Sequence, residues 1–288
     1  MKIGLGLILL MFAFSCNTKE ENLSEPKLII KLVLDENQER LGNNGLPSQL
    51  PAGHAGQNPK FNGLSAHYLE LAQGSFTPLG NGEIIYHAPE TNVGGSSAID
   101  FEKSIITKSG ETFLEIPLKG LTPGQYEWVR LSLSYQNYDV DFYFNDQPFR
   151  GTVASFVGFN NYIKAFQVKN QAVTVNSNKR QGFWAFETIN GVLTGESPEG
   201  ATTVPNPLFQ TSPIPPGSCV VTGKFDQKLI INGNEKKDIE MTMSLSINKS
   251  FEWVDQNGNG KWDVDPGAME SIVDMGLRGL VPKWKILD

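Results

Sequence analysis

Cysteine is scarce in this chain. Of its 288 residues two are cysteine, and only Cys219 lies beyond the first sixteen. The body of the protein has no second thiol for an internal disulfide, so its stability has to come from core burial or from bound metal. Basic charge is also in short supply, with 24 Lys and Arg against 31 Asp and Glu, and no basic cluster offsets the deficit. Such a surface does not attract nucleic acid or anionic lipid headgroups, which argues against both as partners. No stretch sustains a helical period. No Gly-x-Ser-x-Gly elbow and no His-Glu-x-x-His helix occurs, so the sequence points away from an enzyme. Asp139 and Asp141 share one face of a predicted strand, but with no cleft in view they do not make a glycosidase pair. Cys219 opens an apolar strand and reads as a small buried hydrophobe. Asp274 and Arg278, four apart, read as an ion pair on a short turn of helix.

What the chain does have is β-pattern. Its 29 glycines and 17 prolines are spread throughout and punctuate short apolar runs. Predicted strands cover 28–34, 64–71, 83–88, 112–118, 125–135, 139–144, 152–159, 162–168, 172–175, 183–189, 219–225, 228–231 and 239–247. Ile239, Met241, Met243, Leu245 and Ile247 alternate with Glu240, Thr242, Ser244 and Ser246. That period of two predicts a central strand with one face in the core. Hairpin signals sit at Asn190-Gly191 and Asn232-Gly233. Many short strands at near-regular spacing predict an all-β antiparallel sandwich or barrel-like domain with long loops and little helix. Two segments, 37–62 and 194–217, lack strand signals and read as long loops. Residues 27–288 are expected to form one β-rich domain, with 176–182 as the alternative dividing point. Aromatics crowd the middle of the chain, among them Trp128, Tyr135, Tyr138, Phe142, Tyr143, Phe159, Tyr162, Phe183 and Trp184. They read as core, and the other reading is a stacking platform for glycan.

At the N-terminus Lys2 precedes an apolar run from Ile3 to Phe14 that ends in Ala13-Phe14-Ser15-Cys16. The run is too short to span a bilayer, which takes roughly 20 apolar residues, and has the length of a signal-peptide core. A Cys after a small residue at this point resembles the lipobox of bacterial lipoproteins, with Ala13 where Leu is usual. The resemblance implies cleavage after residue 15 and lipidation of Cys16. Asn17-Thr18-Lys19-Glu20-Glu21 resembles the export signal of Bacteroidota outer-membrane lipoproteins, and implies an outer-membrane protein, periplasmic or surface-exposed. Residues 16–26 read as a lipidated flexible tether. Loss of Lys2 leaves 23 basic against 31 acidic residues, a net charge of −8.

Two constellations could bind metal. Asp255, Asn257, Asn259 and Asp263 occupy positions 1, 3, 5 and 9 of a loop with Gly260 at position 6. This is the front of an EF-hand-type calcium loop, in which alternate side chains converge on a hard cation and the carbonyl of Lys261 adds a ligand. Position 12 is Pro266, so Asp265 or Glu270 has to close the shell, and two Asn for Asp predict weak affinity. The same residues also make ordinary tight turns. The three histidines are His54 in the first long loop and His67 and His87 on predicted strands. If those strands pair, the imidazoles could meet and bind copper or zinc; scattered histidines without a metal are the alternative.

The segment Phe61 to Leu71, together with Gly124 to Trp128 and Ser250 to Trp253, resembles the copper-binding MbnP-like envelope proteins. The resemblance covers about half the chain and implies a β-sandwich facing the periplasm or surface, with a copper role in which His67 is the best-placed candidate. The expectation is a non-enzymatic, lipid-anchored binding protein that holds copper through histidines and calcium through the loop. The alternative is a calcium-stabilised module that binds glycan or an envelope protein. The lipid anchor is open to a direct check: Cys16→Ala should move the protein from the membrane to the soluble fraction, with mass spectrometry of the parent showing diacylglycerol on the sulfur. A retained leader or an unmodified thiol in the parent contradicts it.

Overall fold

A computed structural model describes residues 25–41, 46–197 and 219–288. Cys16, the expected signal segment and the start of the expected tether, and most of the proline-rich segment 194–217, lie outside these residues. The strands run in chain order as β1 (Lys27–Asp35), β2 (His54–Gln57), β3 (Lys60–Ala72), β4 (Glu83–His87), β5 (Glu90–Thr91), β6 (Ala98–Asp100), β7 (Thr112–Pro117), β8 (Gly124–Phe144) and β9 (Gln147–Phe156). They continue as β10 (Asn161–Gln167), β11 (Ala172–Lys179), β12 (Phe183–Thr188), β13 (Gly191–Glu196), β14 (Cys219–Ile231), β15 (Ile239–Ser246), β16 (Phe251–Val254), β17 (Ile272–Asp274) and β18 (Arg278–Ile286). The described residues contain no α-helix, only two single turns of 3-10 helix, and the fold is all-β as the pattern predicts.

The largest sheet runs β13-β12-β9-β8-β3-β4, with β14 also paired to β8. Strand β8 is long enough to serve two partners along one edge. Its first half, to Leu133, pairs with β14, and its second half, from Tyr135, pairs with β9. Its other edge pairs with β3. A second sheet, β18-β15-β1-β7, faces this one. Between them lies the main core, where Leu28, Ile30, Leu32, Met241, Met243 and Leu245 meet Leu64, Leu69, Leu131, Val221 and Phe225. Each fully buried side chain of this kind contributes about 1.5–3 kcal/mol. A second cluster packs Tyr135, Phe156 and Phe183 against Phe101, Ile163 and Phe166. A third joins Tyr138, Val140 and Phe142 to Phe251, Trp253 and Trp262. Of the nine mid-chain aromatics, Tyr135, Tyr138, Phe142 and Phe183 are core, and Trp128, Tyr143, Phe159, Tyr162 and Trp184 are half-buried.

The strand expected over 239–247 is central, lying between β18 and β1, with its alternate residues buried. Several local expectations are corrected. The segment 37–62 contains β2 and the start of β3; β2 is stabilised by pairing with β16, nearly two hundred residues away. No turn of helix spans 273–279, because β17 ends at Asp274 and β18 begins at Arg278, and Asp274 accepts from the Gly276 N–H at 2.7 Å. The predicted strands 219–225 and 228–231 are one strand, β14, with an irregularity opposite β8 between Lys224 and Leu229.

Buried acids are matched to donors rather than gathered in a cleft. Asp139 accepts from Thr152 at 2.7 Å and from Asn62 at 3.1 Å and is paired with Lys169, while Asp141 is an exposed partner of Arg150 at 2.7 Å. Glu252, 4% exposed, is bound by Arg40 and by His54 Nδ1 at 2.6 Å. Burial pushes its carboxyl up, but the hydrogen bonds from Arg40 and His54 outweigh this and hold it below the usual carboxylate range. A depressed folded-state pKa gives stability that is present above the unfolded value and lost as pH falls. Removing Arg40 leaves a buried carboxylate short of its partner, at a cost of about 3–5 kcal/mol. Arg40→Met should therefore melt well below the parent at pH 7, and the gap should narrow below about pH 4.5, where the unfolded carboxyl protonates. Equal melting temperatures at pH 7 contradict this account of the pair.

Candidate metal centre

His67 lies where the pairing of β3 with β8 slips. Ala66 is opposite Leu133 and Tyr68 is opposite Ser132, so His67 is the extra residue of a bulge. A bulge re-aims a side chain, and the same pair of strands slips again just before it, between Ser65 and Ala66. On the other edge of β3, Tyr68 pairs with His87 of β4. The position of β4 depends on its entry. The Glu70 carboxylate, fully buried, accepts from the Gly80 and Gly82 N–H groups at 3.0 and 2.6 Å. A Cβ on Gly82 would come within 2.3 Å of the Leu71 carbonyl oxygen, so only glycine allows this approach. After β4 the Ala88 N–H donates to the His67 carbonyl at 2.7 Å. The chain then turns through Pro89 and presents Glu90 from β5, which belongs to the sheet β11-β10-β6-β5.

Three side chains meet as a result. Among the described residues, His67, His87 and Glu90 are the one group of three His, Cys, Asp or Glu whose donor atoms lie within 4.8 Å of one another. His67 Nε2 is 3.2 Å and His87 Nε2 is 3.6 Å from the same Glu90 oxygen, Oε1. The two imidazole centroids are 4.9 Å apart at 66°. His67 is fully buried and stacks at 6.0 Å on Phe159, while the side chains of His87 and Glu90 are 36% and 29% exposed. Ser97 Oγ donates to the second oxygen of Glu90 at 2.6 Å.

The proton positions follow from these contacts. His87 Nδ1 is 3.0 Å from the Ala88 carbonyl oxygen, which can only accept. Nδ1 therefore carries the proton, and in the neutral ring Nε2 presents a lone pair. Burial pushes the His67 pKa down and keeps this ring neutral at neutral pH, against the opposing pull of Glu90. The hydrogen bond from His67, with a smaller one from Ser97, pulls the Glu90 carboxyl down to about 2 against the effect of burial. One carboxylate oxygen thus faces two imidazole nitrogens, with a single ring proton between them to share. When His87 is neutral its Nε2 lone pair points at this anion, an arrangement that either a proton or a metal ion on Nε2 resolves. His87 also has the outer hydrogen bond that orients a metal-binding imidazole. His67 does not: its Nδ1 is buried without a partner. A metal on Nε2 of His67 would leave Nδ1–H without an acceptor, at about 1–3 kcal/mol, which limits affinity.

Sequence reading named His67 and His87 and missed Glu90. The available signal was the spacing His87-Ala88-Pro89-Glu90, in which a proline turn carries a carboxylate back toward the preceding strand. His54 does not join the other two; it is held by Glu252 on the β2–β16 pair.

The loop 255–263 is closed by hydrogen bonds among its own residues. Asp255 accepts from the Asn259 and Gly260 N–H groups at 3.1 and 3.0 Å, Asn257 accepts from Asn259 at 3.0 Å, and Asn259 accepts from Lys261 at 2.7 Å. Asn257 and Asn259 both donate to one oxygen of Asp263 at 2.8 Å. Gly258 and Gly260 have φ of +71° and +72°, which favours glycine at both turns. Glu270, 2% exposed, turns both carboxylate oxygens to the loop and accepts from Gln256 at 2.8 Å and Asp263 at 3.0 Å. Asp265 instead points to the Asn145 N–H, at 2.7 Å. The Lys261 carbonyl accepts from the Trp253 indole at 3.0 Å.

No family model, no curated protein and no solved structure matches the chain.

Proposed function

We propose that this chain is a lipid-anchored binding protein of the bacterial outer membrane whose β-fold holds a transition-metal ion at His67, His87 and Glu90. The observation that carries the reading is the shared Glu90 oxygen, which faces two imidazole nitrogens while the Nδ1 proton of His87 is committed to the Ala88 carbonyl. Two imidazoles and a carboxylate form a borderline donor set without sulfur, which favours divalent copper or zinc over copper(I). Copper(II) is the tightest-binding of the divalent ions for such a set. The resemblance of the Cys16 segment to a lipobox supports an envelope location, and nothing in the donor set requires catalysis.

A second reading concerns calcium, and Glu270 favours it. Its carboxylate, at 2% exposure, turns both oxygens to the backbone of a loop that lacks the twelfth-position Glu of an EF-hand-type sequence. The loop also braces the β8–β9 hairpin: Tyr143 exchanges backbone hydrogen bonds with Trp262 and Val264 at 2.8 and 2.9 Å, and Lys261 lies over the Tyr143 ring. Calcium there would stiffen a hairpin that exposes Phe149 and the Asp141–Arg150 pair, a surface suited to glycan or a partner protein.

The two ions are separable in one experiment on tag-free mature protein. Copper(II) should bind at one equivalent and raise the melting temperature; His87→Ala should lose that binding, while His54→Ala should retain it. Copper retained by His87→Ala, or not retained by the parent, contradicts the metal centre. Calcium at 10 mM should stabilise by about 1.4–2.7 kcal/mol for a Kd of 10⁻⁴ to 10⁻³ M, a few degrees in melting temperature. Asp255→Ala should remove this gain without changing copper binding. An unchanged melting temperature in the parent removes the calcium reading.

A further inference from the structure

We infer that the His67–His87–Glu90 centre is a three-donor site that takes its remaining ligand from outside the protein, and that this ligand is a small monoanionic donor of the carboxylate or hydroxide class. The inference rests on the reading of these three residues as a metal centre. Metal–donor bonds of about 2.0–2.1 Å in a tetrahedral shell set donor atoms about 3.3 Å apart. The separations from Glu90 Oε1, 3.2 Å to His67 and 3.6 Å to His87, bracket that edge. Two of the three donor–donor edges thus match a tetrahedral edge, and all three donors lie within 4.8 Å of one another; an ion bound by these three in a tetrahedral shell needs one ligand more.

Among the described residues no fourth His, Cys, Asp or Glu joins the group. Ser97 is occupied as a donor to the outer oxygen of Glu90. Exposure is one-sided: His67 is closed off beneath Phe159, whereas His87 and Glu90 reach solvent. Structural sites close their shell with protein ligands, while sites that keep three protein ligands hold the fourth position for water or a guest. Charge then selects the guest. Two neutral imidazoles and one carboxylate leave a divalent ion with a net charge of +1, which one monoanion neutralises and a dianion overshoots.

Cobalt(II) makes the fourth position visible, because its visible absorption bands depend on the ligand set. The mature full-length protein loaded with one equivalent of cobalt(II) should show d–d bands whose position shifts on titration with azide. The shift should saturate at one azide per cobalt, and acetate should compete with it. His87→Ala, a change at a partly exposed position, should lose both the bands and the azide response. Cobalt bound at one equivalent with bands indifferent to azide and acetate overturns the open-position inference and leaves the metal centre standing. No cobalt bound overturns the centre itself, and the inference with it.

Discussion

Strand β8 is the constraint on which the rest of the molecule depends. It runs 21 residues, from Gly124 to Phe144, and contributes to all three hydrophobic clusters: Val129, Leu131 and Leu133 to the first, Tyr135 to the second, and Tyr138, Val140 and Phe142 to the third. It is hydrogen-bonded along one edge to β3 and along the other to β14 and then β9. From Leu131 to Val140 every residue is buried, as is every residue of β3 from Gly63 onward. With both faces covered, a one-residue slip would send each side chain into the wrong layer, so the register is strongly fixed. The bulge at His67 is followed by regular pairing from Tyr68 to Ala72 and preceded by a second irregularity at Ser65 and Ala66.

Buried polar groups are treated in two ways in this fold. Glu70, Asp139, Glu187 and Glu252 are buried, and each accepts from backbone N–H groups, hydroxyls or cations. By contrast Ser65 Oγ, His67 Nδ1, Ser132 Oγ and Ser134 Oγ are buried without partners, all on β3 or β8 within a few residues of the bulge or across from it. Buried polar atoms left unpaired each cost about 1–3 kcal/mol, and such costs gather where a fold serves a purpose other than stability. The imidazole of His67 is thus placed by the core at some cost to the core, while its partners His87 and Glu90 are supplied from the more exposed β4 and β5.

Much of this was legible in the sequence, for physical reasons that differ by element. The alternation from Ile239 to Ile247 reports one buried face directly, and β15 follows it. His67 and His87 could be named because both sit in strand-like runs, and the pairing of β3 with β4 brings them together. Strand β2 was not legible, because its four residues are polar and small and gain their structure from β16. The bulge was not legible either, since an inserted residue in a continuously apolar strand leaves no periodic trace. Glu90 was hidden by its distance in sheet terms: it lies three residues from His87 in sequence but is paired to Ile99 in another sheet. The loop 255–263 was the reverse case: its Asn-Gly spacing marks tight turns, and Gly258 and Gly260 do take positive φ there.

The most direct measurement is anomalous diffraction at the copper edge from crystals of the mature protein grown with copper(II). The account predicts one strong peak about 2.0–2.2 Å from Nε2 of His67, Nε2 of His87 and Oε1 of Glu90, with additional density on the solvent side. A peak at His54 and Glu252, or no ordered peak between β3, β4 and β5, would contradict it.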